Sequence, residues 1–150
     1  MLVAEKPLKS YLQKYFGFDK FKGEQEAIIQ SVLAGKDTFV IMPTGGGKSM
    51  CYQLPALIME GTAVIVSPLI ALMKDQVENL KSKEIKAVAI YSGMTRHEID
   101  VALENCVHDK NMKFLYCSPE RLATEIFCTR VKQMNVNLLA IDESHCISQW

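Results

Sequence analysis

A chain of 150 residues, 49% of them apolar, is long and apolar enough for one domain with a real core and need not be disordered. Seventeen Lys and Arg balance seventeen Asp and Glu, so there is no whole-domain basic field, and any nucleic-acid contact has to come from local groups. Five cysteines, an odd number with no C-x-x-C pair, argue against a disulfide framework or a zinc site and for buried thiols in a reducing compartment; zinc is not expected in this segment.

Met1 to Ser10 carries Glu5 and two lysines and lacks the apolar stretch of a signal peptide. Leu8, Tyr11, Leu12, Tyr15 and Phe16 then fall on one helical face. A strand is expected at Thr38–Met42, followed by a glycine-rich loop and a helical stretch from Ser49, with a kink at Pro55. Further strands are expected at Ala63–Ser67, Lys86–Tyr91, Lys113–Cys117 and Leu138–Asp142, several of them apolar almost throughout, as strands buried on both faces should be. Between them, Leu69, Leu72, Met73, Val77 and Leu80 share a helical face, as do Ile99, Ala102, Leu103, Cys106 and Val107. Alternating strands and helices predict an α/β fold, a parallel sheet covered by helices on both faces, with right-handed crossovers and ligands at the carboxyl ends of the strands. No apolar run approaches the ~18 residues that a bilayer requires. A soluble, cytoplasmic protein without membrane partners is the expectation. The sequence stops at Trp150, just after a strand and a polar turn, which reads as a fragment of a longer protein.

The strongest local signal is Met42-Pro43-Thr44-Gly45-Gly46-Gly47-Lys48-Ser49, set between a strand and a helix as a phosphate-binding loop requires. Glycines at 45, 46 and 47 let the backbone reach φ > 0 and come close to a phosphate, with N–H groups turned inward as an anion nest at a helix N-terminus. Lys48 can reach the β- and γ-phosphates of a nucleotide, and the Ser49 hydroxyl can ligate Mg²⁺. The loop departs from the general G-x-x-x-x-G-K-[ST] pattern at Met42, where the first glycine would stand. Near the end of the chain the apolar run Leu138–Ile141 leads into Asp142-Glu143-Ser144-His145. Two carboxylates at the end of a buried strand are costly unless they serve a cation. A magnesium nucleotide supplies one, with Asp142 holding the metal and Glu143 orienting and deprotonating the attacking water. His145 is placed to sense the γ-phosphate or to link the site to a nucleic-acid side. His97 and His108 lie in a polar helical stretch and read as solvated.

These residues carry a family likeness. The run 42–49, continued by Cys51-Tyr52-Gln53-Leu54-Pro55-Ala56, resembles motif I of the RecQ helicases of superfamily 2. The run from Val66 to Val77 resembles motif Ia, Tyr116-Cys117-Ser118-Pro119-Glu120-Arg121-Leu122 resembles motif Ib, and Asp142 to Trp150 resembles motif II and the start of the aromatic-rich loop. Upstream, the run from Phe16 to Gln25 is similar to the adenine-recognising motif. Read from the residues alone, Phe18 and Phe21 are core aromatics; by the resemblance Phe18 stacks on adenine and Gln25 hydrogen-bonds its edge. Lys22 stands where the family usually has arginine, and a lysine keeps the charge but not the planar stacking surface. Ser144 stands where alanine is usual.

The resemblance implies the first RecA-like lobe of a P-loop NTPase motor, working with a second lobe that supplies an arginine finger. The implied cofactors are ATP and Mg²⁺. The implied activity is 3′-to-5′ unwinding coupled to ATP hydrolysis on single-stranded and duplex DNA, with recombination and repair as its setting and the nucleoid as its place in a bacterium. Ser67 and Pro68, Ser92 and Gly93, and Ser118 and Arg121 would then line the DNA face, where hydroxyls and backbone N–H groups suit phosphates; the plain alternative for each loop is an ordinary strand-to-helix turn. Trp150 would stack on a base, with a packing role as the equal alternative. An RNA helicase of the wider superfamily is disfavoured by Ser148-Gln149-Trp150, and a non-catalytic nucleotide switch by Glu143 beside Asp142.

Overall fold

The structure, a computed structural model, describes residues 8–35 and 48–141, leaving aside the side chains of Lys48 and Ala123. The expected strand Thr38–Met42, the loop residues Thr44, Gly45, Gly46 and Gly47, the acidic motif with Asp142, Glu143 and His145, and Trp150 lie outside the described residues. The chain divides into two compact units, residues 1–60 and 61–150.

The first unit is helical. Helix α1 (Leu8–Phe16) carries the anticipated apolar stripe, α2 spans Gln25–Leu33 and α3 spans Lys48–Ile58. Leu12, Ile29, Met50 and Leu54 form its core, and Leu8, Tyr11, Tyr15, Phe16, Phe21, Leu33 and Ile58 pack around them. Helix α3 is buried at every position from Met50 to Leu57. Helical assignment continues through Pro55, whose ring removes one N–H, and the Met59 N–H bonds the Pro55 carbonyl at 3.0 Å.

The second unit is built on a parallel sheet. Its elements in chain order are β1 (Thr62–Val66), α4 (Ile70–Ser82), β2 (Lys86–Ile90), α5 (Arg96–His108), β3 (Met112–Cys117), a 3-10 turn (Pro119–Ala123), α6 (Glu125–Val131) and β4 (Val136–Ile141). The strands lie in the order β2-β3-β1-β4 and every pair is parallel. Each strand lies within two residues of its expected limits. The 3-10 turn and α6 have too little helical period to stand out in the sequence.

Strand order and handedness together place the helices. The crossover from β1 to β2 runs one way along the sheet, and those from β2 to β3 and from β3 to β4 run the other way. Right-handed crossovers therefore put α4 on one face and α5 and α6 on the other. Packing agrees with this. Val64, Val66, Ile90, Leu115 and Cys117 pack with Ile99, Leu103 and Cys106 of α5 and Phe127 of α6, whereas Met73, Val77 and Leu80 of α4 are buried outside that cluster. Ala63, Ile65, Phe114 and Tyr116 form the buried second face, with the two aromatic rings 6.3 Å apart. Such burial is the main stabilising term, roughly 1.5–3 kcal/mol for each large side chain. Helix α5 starts at a complete capping box, in which Thr95 accepts from the Glu98 N–H and Glu98 accepts from the Thr95 N–H. Arg130 of α6 ties to α5 through Asp100, at 2.7 Å, and Glu104.

Candidate functional site

In a parallel sheet all carboxyl ends lie along one edge, and the loops leaving them become neighbours. Here those loops are 67–69 after β1, 91–95 after β2 and 118–121 after β3, and the registers Val66↔Cys117 and Ile90↔Cys117 align their starts. Chain leaves β1 toward α4 on one face and leaves β3 toward α6 on the other. In such sheets the position between adjacent strands whose connections part in this way is the usual one for a ligand, and here it falls between the ends of β1 and β3.

The residues at this edge are held in different ways. Ser67 is buried, its N–H bonds the Cys117 carbonyl at 3.0 Å, and its hydroxyl accepts the Leu69 N–H at 3.3 Å. That hydroxyl bond turns the chain out of the strand past half-buried Pro68. Ser118 is likewise buried, and its N–H bonds the Ile90 carbonyl at 3.1 Å. Ser92 and Gly93 are exposed. Gly93 turns the chain with φ of 101°, a conformation that favours glycine. The Ser92 hydroxyl donates to the Glu120 carboxylate, and Arg121 donates from Nη2 to the Tyr91 carbonyl at 3.3 Å. The Lys74 ammonium of α4 sits 4.8 Å from the Tyr91 ring centroid. The Ser92 hydrogen bond is the main reason the Glu120 carboxyl is held below the usual carboxylate range; its own backbone, the Ser118 hydroxyl and the Arg121 charge act in the same sense. Beneath the edge, burial pushes the Cys117 thiol up to about 12, with the Glu120 charge adding to it, so this sulfur stays protonated and packs as an apolar group. Beside Arg121, a hollow of about 340 Å³ opens over Met94, Ile99 and Ile126, with Arg96 on its rim.

The first unit carries the other candidate residues. Phe18 is 52% exposed and Lys22 is exposed, while Phe21 packs with the helical core. Of the two aromatics that sequence alone assigns to a core, only Phe21 is there; Phe18 keeps a ring face in the open. Gln25 is buried, its Oε1 accepts the Lys22 N–H at 2.8 Å, and its own N–H bonds the Lys22 carbonyl at 3.1 Å. This reciprocal pair fixes the loop before α2. Helix α3 begins at Lys48, with Ser49 in its first turn. A helix N-terminus following a glycine-rich run carries partial positive charge and exposed N–H groups, which suits a phosphate. A serine hydroxyl is a hard oxygen donor of the kind that suits Mg²⁺. No described helix is long and apolar enough to cross a membrane.

Glu120 falls in the run resembling motif Ib, Lys74 in the run resembling motif Ia and Tyr91 at an expected strand end, but the sequence does not show what they pair with. Ser92 and Glu120 stand 28 residues apart, and no local pattern marks them as partners.

Comparison with known proteins places the fold. The family model for DEAD/DEAH box helicases matches residues 22–150, and the chain belongs to that family. Within the family it is similar to RecQ-type proteins. It is 47% identical over 95% of its length to the probable ATP-dependent DNA helicase RecS of Bacillus subtilis, of which it covers 28%. It is 48% identical over 95% of its length to the ATP-dependent DNA helicase RecQ of the same organism, covering 24% of it. To the ATP-dependent helicase wrn-1 of Caenorhabditis elegans it is 44% identical over 93% of the chain and 13% of the relative. The chain thus spans about a quarter of the length of the two bacterial relatives.

Proposed function

We propose that this chain is the first ATP-binding lobe of a RecQ-type DNA helicase, a motor that separates duplexes in the 3′-to-5′ direction and hydrolyses ATP with Mg²⁺. The observation that carries the reading is similarity over nearly the whole chain to helicases of that type, 47% and 48% identical to two of them. The start of α3 at Lys48 and the polar edge formed by the loops at 67, 92 and 118 support it.

In this reading the α3 N-terminus and Lys48 bind the phosphates, and Ser49 and Asp142 hold the metal. Glu143 takes a proton from the attacking water, and His145 relays the state of the site toward the DNA edge. Phe18 offers its exposed ring face to the adenine, with Gln25 and Lys22 defining the loop beneath it. Metal-bound triphosphate supplies the reacting phosphoryl group. The loops bearing Ser67, Pro68, Ser92, Gly93, Ser118 and Arg121, together with Trp150, hold a single strand by its phosphates and bases without reading sequence. An arginine finger from a second lobe is worth on the order of 10³–10⁵ in rate. The 150-residue polypeptide alone is therefore expected to bind nucleotide weakly and to hydrolyse it negligibly, and robust DNA-stimulated turnover by it would contradict this.

The deciding experiment is unwinding by the full-length protein of matched DNA and RNA duplexes carrying a 3′ or a 5′ single-stranded tail. ATP-dependent separation of the 3′-tailed DNA duplex is the expected result. Separation of RNA alone, or ATP binding with no separation of any duplex, would overturn the assignment.

A further inference from the structure

Glu120 presents a chemical puzzle. It is an exposed carboxylate, held ionised, in the turn that faces the proposed DNA strand, where a negative charge repels phosphate. Its surroundings give it another task. The Ser92 hydroxyl donates to it, and the next residue, Arg121, donates to the carbonyl of Tyr91. Two consecutive residues of the 3-10 turn after β3 thus grip two consecutive residues of the loop after β2. Elsewhere the loop has one long turn bond, from the Met94 N–H to the Tyr91 carbonyl at 3.4 Å, Met94 packs against the core beneath, and the loop is tied at its ends. At one end the Ser118 N–H bonds the Ile90 carbonyl at 3.1 Å, and at the other the capping box fixes Thr95 at the start of α5. Between them lies Gly93, with φ of 101° and nothing within 4 Å of where a Cβ would stand. A loop with a permissive glycine, open space around it and a single long internal bond at its tip is steadied by ties from outside it.

We propose that Glu120 is a positioning residue for DNA: by accepting the Ser92 hydroxyl it locks the loop at 92–94 against the turn at 118–121, so that the two present one preformed strand-binding rim. The inference rests on the proposed DNA reading. The carboxylate acts as an acceptor, and the neighbouring Arg121 guanidinium offsets its charge. The side chain touches the loop that touches the strand, and its effect on DNA passes through Ser92. Preforming a binding loop improves affinity by removing the entropic cost of ordering it on binding.

The test uses the full-length protein and a fluorescently labelled oligothymidylate, with affinity read by anisotropy at low and at physiological salt. Glu120→Ala removes a negative charge, so repulsion alone predicts tighter binding. The clasp predicts the opposite, a weakening of about three- to tenfold, the scale of one lost hydrogen bond. Glu120→Gln keeps an acceptor oxygen and is expected to bind within about twofold of the wild type. Ser92→Ala should match Glu120→Ala, and the double variant should be no weaker than either single one, because both remove the same contact. Thermal midpoints are read alongside; if Glu120→Ala fails to fold, Glu120→Gln against Ser92→Ala decides. Tighter or unchanged binding by Glu120→Ala, equal damage from Glu120→Gln, or additive losses in the double variant each overturn the clasp while leaving the DNA reading intact. A wild-type protein that binds no oligothymidylate overturns both.

Discussion

The two edges of the sheet in the second unit are built from the same kinds of residue and come to opposite ends. At the amino edge a chain of short bonds runs across all four strand starts. Lys86 pairs with Asp109 at 2.7 Å, Asp109 accepts the Asn111 N–H at 2.9 Å, and the Met112 carbonyl accepts the Thr62 hydroxyl at 2.7 Å. The Thr62 N–H then reaches the Asn135 carbonyl at 2.8 Å, just before β4. At the carboxyl edge the connections of β1 and β3 part to opposite faces. Helix direction deepens the contrast. Helices α4, α5 and α6 each begin near the carboxyl edge, so the positive ends of their dipoles gather there, and their negative ends gather at the amino edge near Lys81 and His108. Anion chemistry therefore has one suitable edge, and the other is free to be closed for stability.

The largest expected effect lies in the proposed ATP machinery. In the full-length protein Lys48→Ala and Glu143→Gln should each lower DNA-stimulated ATP turnover by at least about a hundredfold, the loss expected when a charge-stabilising or proton-accepting group is removed. Glu143→Gln should keep nucleotide binding while Lys48→Ala weakens it, so a binding titration beside the turnover assay separates the two roles. Wild-type turnover in Lys48→Ala would refute the phosphate-loop assignment, and wild-type turnover in Glu143→Gln would remove Glu143 from the role of catalytic base.

How much of this was legible in the sequence follows from which interactions are local. The strands at 62–66 and 112–117 are apolar runs whose burial on both faces is written into their composition, and the edge strand at 86–90 is apolar but only partly covered. The helices at 70–82 and 96–108 announce themselves by period. The order β2-β3-β1-β4 is not local, and neither are the Ser92–Glu120 and Arg121–Tyr91 ties, which depend on strands distant in sequence becoming neighbours. Phe18 and Phe21 make the same point at small scale. Both are aromatic residues in one short run, and only tertiary packing decides that 21 turns inward and 18 outward. The sequence places Ser67 and Ser118 at strand-to-helix loops but does not show their burial; both are buried, and Ser67 spends its oxygen on its own turn.

Next in size is the core that both edges share. Leu115 is fully buried in the layer between the sheet and α5 and α6. Leu115→Ala should cost about 2–5 kcal/mol by lost burial and a residual cavity, read as a lowered midpoint in chemical denaturation. A smaller loss is expected at the amino edge from Gly61→Ala. Gly61 has φ of 107°, and a Cβ there would stand 2.5 Å from the Asn135 carbonyl oxygen. Strain of this kind costs about 1–3 kcal/mol. It should appear as lost stability with oligothymidylate affinity preserved. Weakened DNA binding at assay temperatures where Gly61→Ala remains folded would break the division of labour between the edges.

The smallest effect is a pH signature of the amino edge. The Asp109 carboxyl is held below the usual carboxylate range by the Lys86 ammonium and by the Asn111 N–H. A carboxyl whose folded value is depressed binds its proton more readily in the unfolded chain. Its contribution to stability is complete above the ordinary carboxylate range and is lost as pH falls through the depressed value. Glu98, held by Thr95, and Glu120, held by Ser92, have the same sign, so three groups share the acid limb of the stability curve. Asp109→Asn removes one of them. The expected result is a shallower loss of stability on acidification, with a slightly lower midpoint at neutral pH and oligothymidylate affinity unchanged. Added salt should shrink the neutral-pH difference, because the pair with Lys86 is exposed and screened. An acid limb identical to that of the wild type would mean that the Lys86–Asp109 tie does not form in solution. Closure of the amino edge would then rest on the bonds of the Thr62 hydroxyl to the Met112 carbonyl and of the Thr62 N–H to the Asn135 carbonyl.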